Sequence, residues 1–489
     1  MHLSKRKLNY LLPAAIIALF AALIGIFVYS TLNRHVFTVY ADGDYISQAL
    51  IDEFTKETGI RVRLVTGGRT PEAGENTFFA DESGSAEASA VAEALGKGDS
   101  SAEPVEEQTL TLPQLLQAPR DEAEAKAREL ARKNGDESAY NPEDVVYPPA
   151  EYDVVLTDGA TLGTLREQGL IKPLTYSKVT NLKNISSEYR KLSYDPTGEY
   201  TITTMWEYVG LLVNTNVVQE QIKSWDVLWD ERYAGAVAMP DQMRDALAVT
   251  LLAMGENPAS TDPVRLNAAL DKLEAQKPLV ASYSNRDAYI LMQNNRTALY
   301  PCWSGDALAM MRENPALVYM MPPGGTYRTT FGYAVPTDTE YEEKALQFIN
   351  FMCSAQSLAR NAVYTSYAST SNVAMSKMDE TWTDNPVIYP ELSVLAQTPL
   401  LTRLPEDTER LCALRWKSII APVQEDPADQ DPADQSAAAE LSTVSPHQVA
   451  ASTTPAGQSA AEKAQTAQKE QAAEQSDASA SKEKLSLLC

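Results

Sequence analysis

A single stretch, Val36 to Val65, limits what this chain can fold into: VFTVYADGDYISQALIDEFTKETGIRVRLV. Val36–Tyr40 is a short β-branched and aromatic run closed by the turn cluster Ala41–Asp44, the signature of a strand and loop. Ile46, Leu50, Ile51 and Phe54 then recur at helical spacing. Asp44 or Ser47 is placed to cap that helix, and Gly59 to end it in a left-handed conformation. Ile60, Val62 and Leu64 alternate with Arg61 and Arg63, the period of a strand. Strand, helix and strand of this length predict a βαβ unit with parallel strands. The loop Ala41–Asp44 follows the carboxyl end of the first strand, where open α/β sheets hold ligands. A purely structural crossover with a solvated acidic loop fits the same pattern, so at this level both readings stand.

Further strands are expected at Tyr152–Thr157, Tyr200–Thr204, Gly210–Val213, Val237–Met239, Ala298–Pro301, Leu317–Met320 and Gly332–Val335. Trp206-Glu207-Tyr208 falls between two of them. Helices are expected from Asp158-Gly159 to Gly169, at Ala246–Met254, Pro263–Gln276 and Arg286–Gln293, after Ser304-Gly305-Asp306, and within Tyr341–Tyr364. Strand and helix alternate, which predicts an α/β class with largely parallel sheets.

Two segments break the alternation. Residues 71–150 hold 18 Asp/Glu against 6 Lys/Arg, and residues 421–489 hold 11 against 4. They account for −19 of the formal charge of −25, so the rest of the chain is only mildly acidic, which speaks weakly against a nucleic-acid partner. Rich in Gly, Ser, Ala and Glu, such stretches bury too little apolar surface to offset their ordering entropy. The expectation is a disordered acidic insertion, about residues 67–145, in a surface loop, and a disordered tail, 421–489, carrying the direct repeat DPADQ-DPADQ. Within the insertion, Asp121–Lys133 has the Glu–Lys and Glu–Arg pairs of an exposed helix. At the other end, Lys5, Arg6 and Lys7 precede the apolar run Leu11–Tyr29. This predicts one transmembrane helix with a cytoplasmic amino end, and export of everything after about residue 31. Val28-Tyr29-Ser30 also offers a cleavage site for the alternative, a secretory signal.

The three histidines, His2, His35 and His447, lie at or beyond the edges of the folded region, which argues against a histidine general base in a cleft. The four cysteines show no metal-ligand spacing, so no structural zinc is expected, and a Cys302–Cys353 bridge stays open. No GxSxG elbow, GxxxxGK[ST] loop or HExxH helix is present. No cofactor or metal is implied.

Five separated motifs, in one order, carry a resemblance: VYADGDYISQALIDEFTKETGIRV; YDVVLTDGATLGTLREQGLIKPL; NLKNI with YDPTGEYTITTMWEYVGLLVNTN; SWDVLWDERYAGAVAM; and ALYPCWSGDA. Together they resemble the exported solute-binding proteins of the spermidine/putrescine ABC-transporter family, from about Val36 to about Ala374. The resemblance implies a two-lobed type II periplasmic-binding-protein fold, with two chain crossings and ligand held between the lobes. The organisation then expected is an anchor over 1–35, a first lobe over 36–209, a second over 210–303, a return to the first over 304–338, a return to the second over 339–420, and the tail. The implied partners are a small solute and the ABC permease subunits, with the chain acting as a membrane-anchored monomer.

The resemblance also implies site residues. In such proteins aromatic rings sandwich the methylene chain of a polyamine and carboxylates pair with its ammonium groups. Trp303, Asp245, Thr157 and Tyr367 match ligand-contacting positions by type. Elsewhere the pattern departs. Asp42 and Gly43 stand where the family has Trp-Thr, Gln242 (beside Asp241) where it has a second carboxylate, and Gly159 where it has a ring. A Trp-x-Asp pair expected after the double glycine falls near Arg328-Thr329-Thr330. The implied ligand-binding set is therefore Asp42, Gly43, Thr157, Gln242, Asp245, Trp303, Arg328 and Tyr367. If Arg328 faces the cleft it repels a polyammonium ion and favours an anionic or zwitterionic solute. A surface sensor on the same fold, and an enzyme using Asp42, Asp158, Asp245 and Asp306, are the readings from other classes.

Overall fold

The computed structural model describes residues 36–67, 110–133, 140–391 and 398–421. The chain divides into two compact units, residues 1–421 and 422–489, and every described residue belongs to the first. The expected span Leu11–Tyr29, residues 68–109 of the insertion and the tail beyond Ala421 lie outside the described residues. Among the described residues no helix is long and apolar enough to cross a membrane.

The opening unit forms as its periodicity predicts. β1 (Thr38–Ala41), α1 (Gln48–Thr58) and β2 (Arg63–Thr66) make a βαβ unit whose strands pair in parallel, Thr38 against Arg63. Leu50, Ile51 and Phe54 form the buried face of α1, and Gly59, at φ +72°, ends it through an amide bond to the Thr55 carbonyl. The start of α1 differs from expectation. Ser47 holds the N-cap position without a capping side-chain bond, while both Asp44 carboxylate oxygens accept from the Tyr364 hydroxyl, at 2.7 Å.

The insertion is partly ordered, against expectation. α2 (Leu112–Lys133) is a 22-residue helix, longer than the expected Asp121–Lys133. Leu112 and Leu116 near its start are buried against Tyr40, Tyr152 and Leu165 of the first lobe. Apolar residues N-terminal to the charged repeat supply the docking face that the repeat lacks.

β3 (Val154–Asp158) lies parallel to β1, and α3 (Gly159–Glu167) follows it. β4 (Ile202–Asn214) is a single strand of 13 residues, all buried, where two short strands were expected. Glu207 and Tyr208 do not interrupt it, because they carry ladder pairs with Thr329 and Arg328. At about 3.3 Å per residue β4 spans roughly 43 Å, long enough to run from one sheet into the next. The second lobe contains β5 (Val237–Ala238), α4 (Met243–Ala253), α5 (Pro263–Gln276), β6 (Val280–Ser282), α6 (Asn285–Gln293), β7 (Leu299–Trp303), α7 (Ser304–Glu313) and β8 (Leu317–Met320). β9 (Arg328–Ala334) re-enters the first lobe, followed by α8 (Glu342–Met352), α9 (Ala355–Thr365) and β10 (Ala368–Ser369). α10 (Glu406–Ile420) closes the described chain.

The strands follow the path β2-β1-β3-β9-β4-β7-β5-β6, with β8 and β10 also on β4. The sheets are mixed rather than largely parallel: β9 runs antiparallel to both β3 and β4, and β7 and β8 run antiparallel to β4. β4 runs from the first lobe into the second and β9 enters the first from the second, so these two lie antiparallel. Val39, Leu50, Phe54, Val154, Phe331, Phe348 and Ile349 build the first-lobe core. Leu247, Leu251, Leu266, Leu270, Leu299 and Trp416 build the second.

The lobe boundaries differ from the expected ones. β8 pairs with Leu211–Asn214 of β4, and Ala307, Leu308 and Met310 of α7 pack beside Tyr300 and Tyr319, so residues 304–320 lie in the second lobe. α8 and α9 bury Leu346, Phe348 and Leu358 in the first-lobe core, so residues 342–365 lie in the first. The last passage to the second lobe, expected after residue 338, lies instead over residues 398–404. Arg328 N–H donates to the Pro399 carbonyl at 3.0 Å, and Leu401 N–H donates to the Arg328 carbonyl at 2.9 Å. The segment then leads into α10, whose Cys412, Trp416 and Ile419 complete the second-lobe core. Cys302, Cys353 and Cys412 are free and buried. Cys302 sits in the second lobe and Cys353 in the first-lobe core, which excludes the bridge left open above.

Candidate functional site

The described ends of β1, β3 and β7, the start of α4 and the crossing strands meet in one region. On the first-lobe side, Asp42 extends β1, its amide donating to the Leu156 carbonyl at 2.9 Å. Its carboxylate accepts from the Thr157 hydroxyl at 3.2 Å and from the Tyr40 hydroxyl at 3.4 Å. Burial and the neighbouring Asp42 charge push the Tyr40 phenol above its usual range, so it remains a donor. Thr157 is fully buried and positions Asp42. Gly43 is required twice over. Its φ is +132°, and a Cβ there would lie 2.9 Å from the Tyr45 ring carbon Cζ. At Gly159, where the resemblance calls for a ring, the buried Tyr194 ring fills the space a side chain would take. A Cβ on Gly159 would come within 2.4 Å of Tyr194 Cε1.

On the second-lobe side, β7 ends at Trp303, whose indole N–H donates to Asp245 Oδ2 at 3.2 Å. Tyr327 O–H donates to Asp245 Oδ1, also at 3.2 Å, and its ring stands edge-on to Trp303 with centroids 5.4 Å apart. Burial first, then the Asp245 charge, pushes the Tyr327 phenol well up, so it too stays protonated. Asp245 is thus a buried carboxylate oriented by two fixed donors in the first turn of α4. Gln242 is exposed at the start of α4 and donates to Asp241, which Asn285 holds through its amide and side chain. Arg244, half-buried in the first turn of α4, faces away from that group. It donates to the carbonyls of Thr402, Pro258 and Ser260, tying the last passage to the second lobe.

The crossing strands fix the charge between the lobes. In the β4–β9 ladder Trp206 faces Thr330, Glu207 faces Thr329, and Tyr208 faces Arg328. Partners across a ladder share a face, and neighbours along a strand alternate. Glu207 and Arg328 therefore point to opposite faces. The Arg328 guanidinium lies over the Tyr189 ring, 6.0 Å from its centroid, and does not join the acidic group. Tyr189 is pushed up to about 12 by burial, with Arg328 opposing the shift. Arg328, an expected ligand contact, thus lies on the face of the ladder that carries Tyr208 and Tyr189.

Glu207 lay outside the expected set. It is 3% exposed, and its Oε2 accepts from the Gly305 amide in the first turn of α7, at 3.4 Å. The Tyr367 ring covers the same glycine: a Cβ there would sit 2.5 Å from Tyr367 Cε1 and 3.3 Å from Glu207 Oε2. Tyr367 stacks on Phe331 at 5.1 Å and 21°, and Tyr45 packs on Phe331 at 4.8 Å, which links this point to the Gly43 loop. The acid of the Trp-x-Asp pair that the resemblance calls for falls at Thr330, which the ladder pairs with Trp206, while Glu207 pairs with Thr329 on the other face. An acid inside an apolar run reads as a break, and only the ladder register reveals it. Asp158 caps α3 through Ala160 and Thr161, and Asp306 is an exposed acid in the first turn of α7, so neither joins the group. No metal-ligating cluster occurs among the described residues. A separate cavity of about 270 Å³, lined by Tyr176, Ile185, Tyr189 and Ile202 among others, lies apart from these acids.

The family described as bacterial extracellular solute-binding protein matches residues 144–389. A spermidine/putrescine-binding periplasmic protein of Haemophilus influenzae is 24% identical over 245 residues, covering 50% of this chain and 68% of that protein. One of the same description from Salmonella typhimurium is 25% identical over 233 residues, 47% of this chain and 67% of that protein. A solved spermidine/putrescine ABC transporter substrate-binding protein of Streptococcus pneumoniae, in complex with calcium and HEPES, superposes with a TM-score of 0.57 at 21% identity. That superposition covers 79% of this chain and 99% of the other, and it establishes the shared two-lobed fold.

Proposed function

The chain belongs to the family of bacterial extracellular solute-binding proteins, and from that premise we propose that it is the substrate-binding component of an ABC importer, with a polyamine as its solute. The observation that carries this reading is the charge arrangement. Asp245 is held as an oriented carboxylate beside the Trp303 ring, Asp42 stands at the first-lobe strand end, and Arg328 is turned onto Tyr189 on the face opposite Glu207. A carboxylate beside an aromatic face suits an ammonium group, and Trp303 and Tyr367 offer apolar surface to the methylenes between two such groups. The relatives with spermidine and putrescine in their descriptions agree with this chemistry.

In this reading Asp42, Asp245, Trp303 and Tyr367 contact the ligand, Gly43 lets the loop turn, Thr157 holds Asp42, and Gln242 sits on the rim. Contacts from both lobes form only on closure, so ligand shifts the population toward the closed form, which permease subunits then read. The apolar run Leu11–Tyr29 tethers the protein, as a monomer, with the binding unit outside the membrane. The anionic alternative rests on Arg328, whose guanidinium lies over Tyr189.

Isothermal titration of the full chain against spermidine, putrescine and succinate tests the proposal. Micromolar or tighter binding of one of the amines, about −8 kcal/mol or more, with no heat from succinate, is expected. Heat from succinate and none from either amine would overturn it.

A further inference from the structure

The cavity of about 270 Å³ lies at the first-lobe end of β4, whose Ile202 and Thr203 line it. Tyr176, Leu182, Ile185 and Tyr189 give it apolar walls. One side is fixed by a loop built on Asp195, which is 1% exposed. Its carboxylate accepts from the amides of Gly198, Glu199, Tyr200 and Thr201 and from the hydroxyls of Thr197 and Thr201, at 2.9 to 3.3 Å. The Tyr176 hydroxyl donates to the Gly198 carbonyl and pins that loop to the facing wall. Gly198, at φ +69°, takes a conformation that other residues avoid, and a Cβ there would strike the Arg190 carbonyl oxygen.

A packing void is the plain alternative. Protein interiors leave few voids larger than a water molecule, and apolar walls offer water few partners. An apolar cavity of about 150 Å³ already admits benzene, so this one has room for a ring and a few polar atoms at its mouth. The mouth carries both signs of charge. Arg190 donates from Nε and Nη2 to the carbonyls of Ile185 and Leu182, at 2.9 and 3.1 Å. Lys191 runs along Gly198, its Cγ 3.1 Å from where a Cβ there would stand. Glu199 follows the same glycine and is exposed, as the two cations are. Among the described residues none of the three has an ion-pair partner. Lys191 and Glu199 thus flank one glycine without pairing, which leaves room between them for a group of each sign.

We infer that this cavity is a second ligand site, for an apolar amino acid of about the size of phenylalanine. The side chain enters between Ile185, Tyr189 and Ile202. The carboxylate meets Lys191 and Arg190, and the ammonium meets Glu199. A carboxylate alone leaves Glu199 unmatched, and an amine alone leaves both cations unmatched. The site is separate from the cleft acids, and the inference does not rest on the polyamine reading. Its occupant touches the first-lobe root of the crossing strand β4.

Isothermal titration of the full chain with phenylalanine, phenylacetate and phenethylamine tests it, since the three share a ring and differ in charge. Phenylalanine is expected to bind with a millimolar or tighter Kd, and each single-charge analogue at least fivefold more weakly. Lys191→Ala and Glu199→Gln, both at exposed positions, should each weaken phenylalanine at least fivefold and leave its analogue-free putrescine titration within twofold of wild type. Leu182→Trp places an indole in the cavity from a half-buried position and should abolish the phenylalanine heat. Should Leu182→Trp fold poorly, the two surface variants decide the matter alone. No heat from phenylalanine would overturn the inference. So would a single-charge analogue that binds as tightly, or phenylalanine affinity kept within twofold in both charge variants.

Discussion

At the scale of single residues, the account turns on which charges face the ligand. Asp245 accepts from Trp303 and Tyr327, so its two oxygens are oriented before any ligand arrives. Asp245→Asn should weaken putrescine binding tenfold or more, since a charged hydrogen bond is worth about 1.5–3 kcal/mol. Arg328→Gln should change it less than threefold, because the guanidinium lies on Tyr189. Calorimetry on both variants checks the pair, and a large effect of Arg328→Gln with none of Asp245→Asn would reverse the assignment. Residue types were legible from the chain for Asp42, Asp245, Trp303 and Tyr367. Orientation was not. Whether Arg328 or Glu207 faces the acids depends on ladder register across more than a hundred residues of sequence separation. The same holds for Tyr194, which reaches Gly159 from a loop with no motif of its own.

At the scale of elements, local periodicity was a good guide where an element has one wet face. α1 and β2 show this: helical spacing in one and alternation in the other came through as a parallel βαβ unit. It failed for β4, whose 13 buried residues have no polar face to alternate with. It also failed for α2, where the apolar residues that dock the helix precede its charged repeat. The last helix, α10, gives a testable case of an element whose partners are remote. Trp416 is 7% exposed and stands edge-on to Tyr283 at 5.6 Å. Trp416→Ala should cost about 3 kcal/mol, the lower end for emptying a large aromatic site. Urea unfolding measures it. A loss below about 1 kcal/mol would show that α10 is not part of the second-lobe core.

At the scale of the whole molecule, the last passage between the lobes among the described residues runs over 398–404. Arg328 binds this passage through its backbone, and Arg244 holds it from the second lobe. The lobe membership of residues 304–320 and 342–365 was out of reach of the sequence, since both lobes use the same alternation and only long-range pairing separates them. The molecule also buries several phenols. Tyr300, Tyr319, Tyr327 and Tyr333 are all pushed well above the ordinary value of about 10 by burial. The folded state therefore keeps protons that the unfolded chain releases. Their stabilising contribution is fully present below about pH 10 and falls as pH rises beyond it. Thermal midpoints measured from pH 9 to 11.5 should fall steadily, and a flat profile would contradict this burial. The central claim, an amine solute held between the lobes by carboxylates, is tested most directly by a crystal structure with spermidine. The account predicts the ligand between Trp303 and Tyr367, with ammonium nitrogens about 3 Å from Asp42 and Asp245. Spermidine bound away from these carboxylates, or absent from the crossing region at saturating concentration, would contradict it.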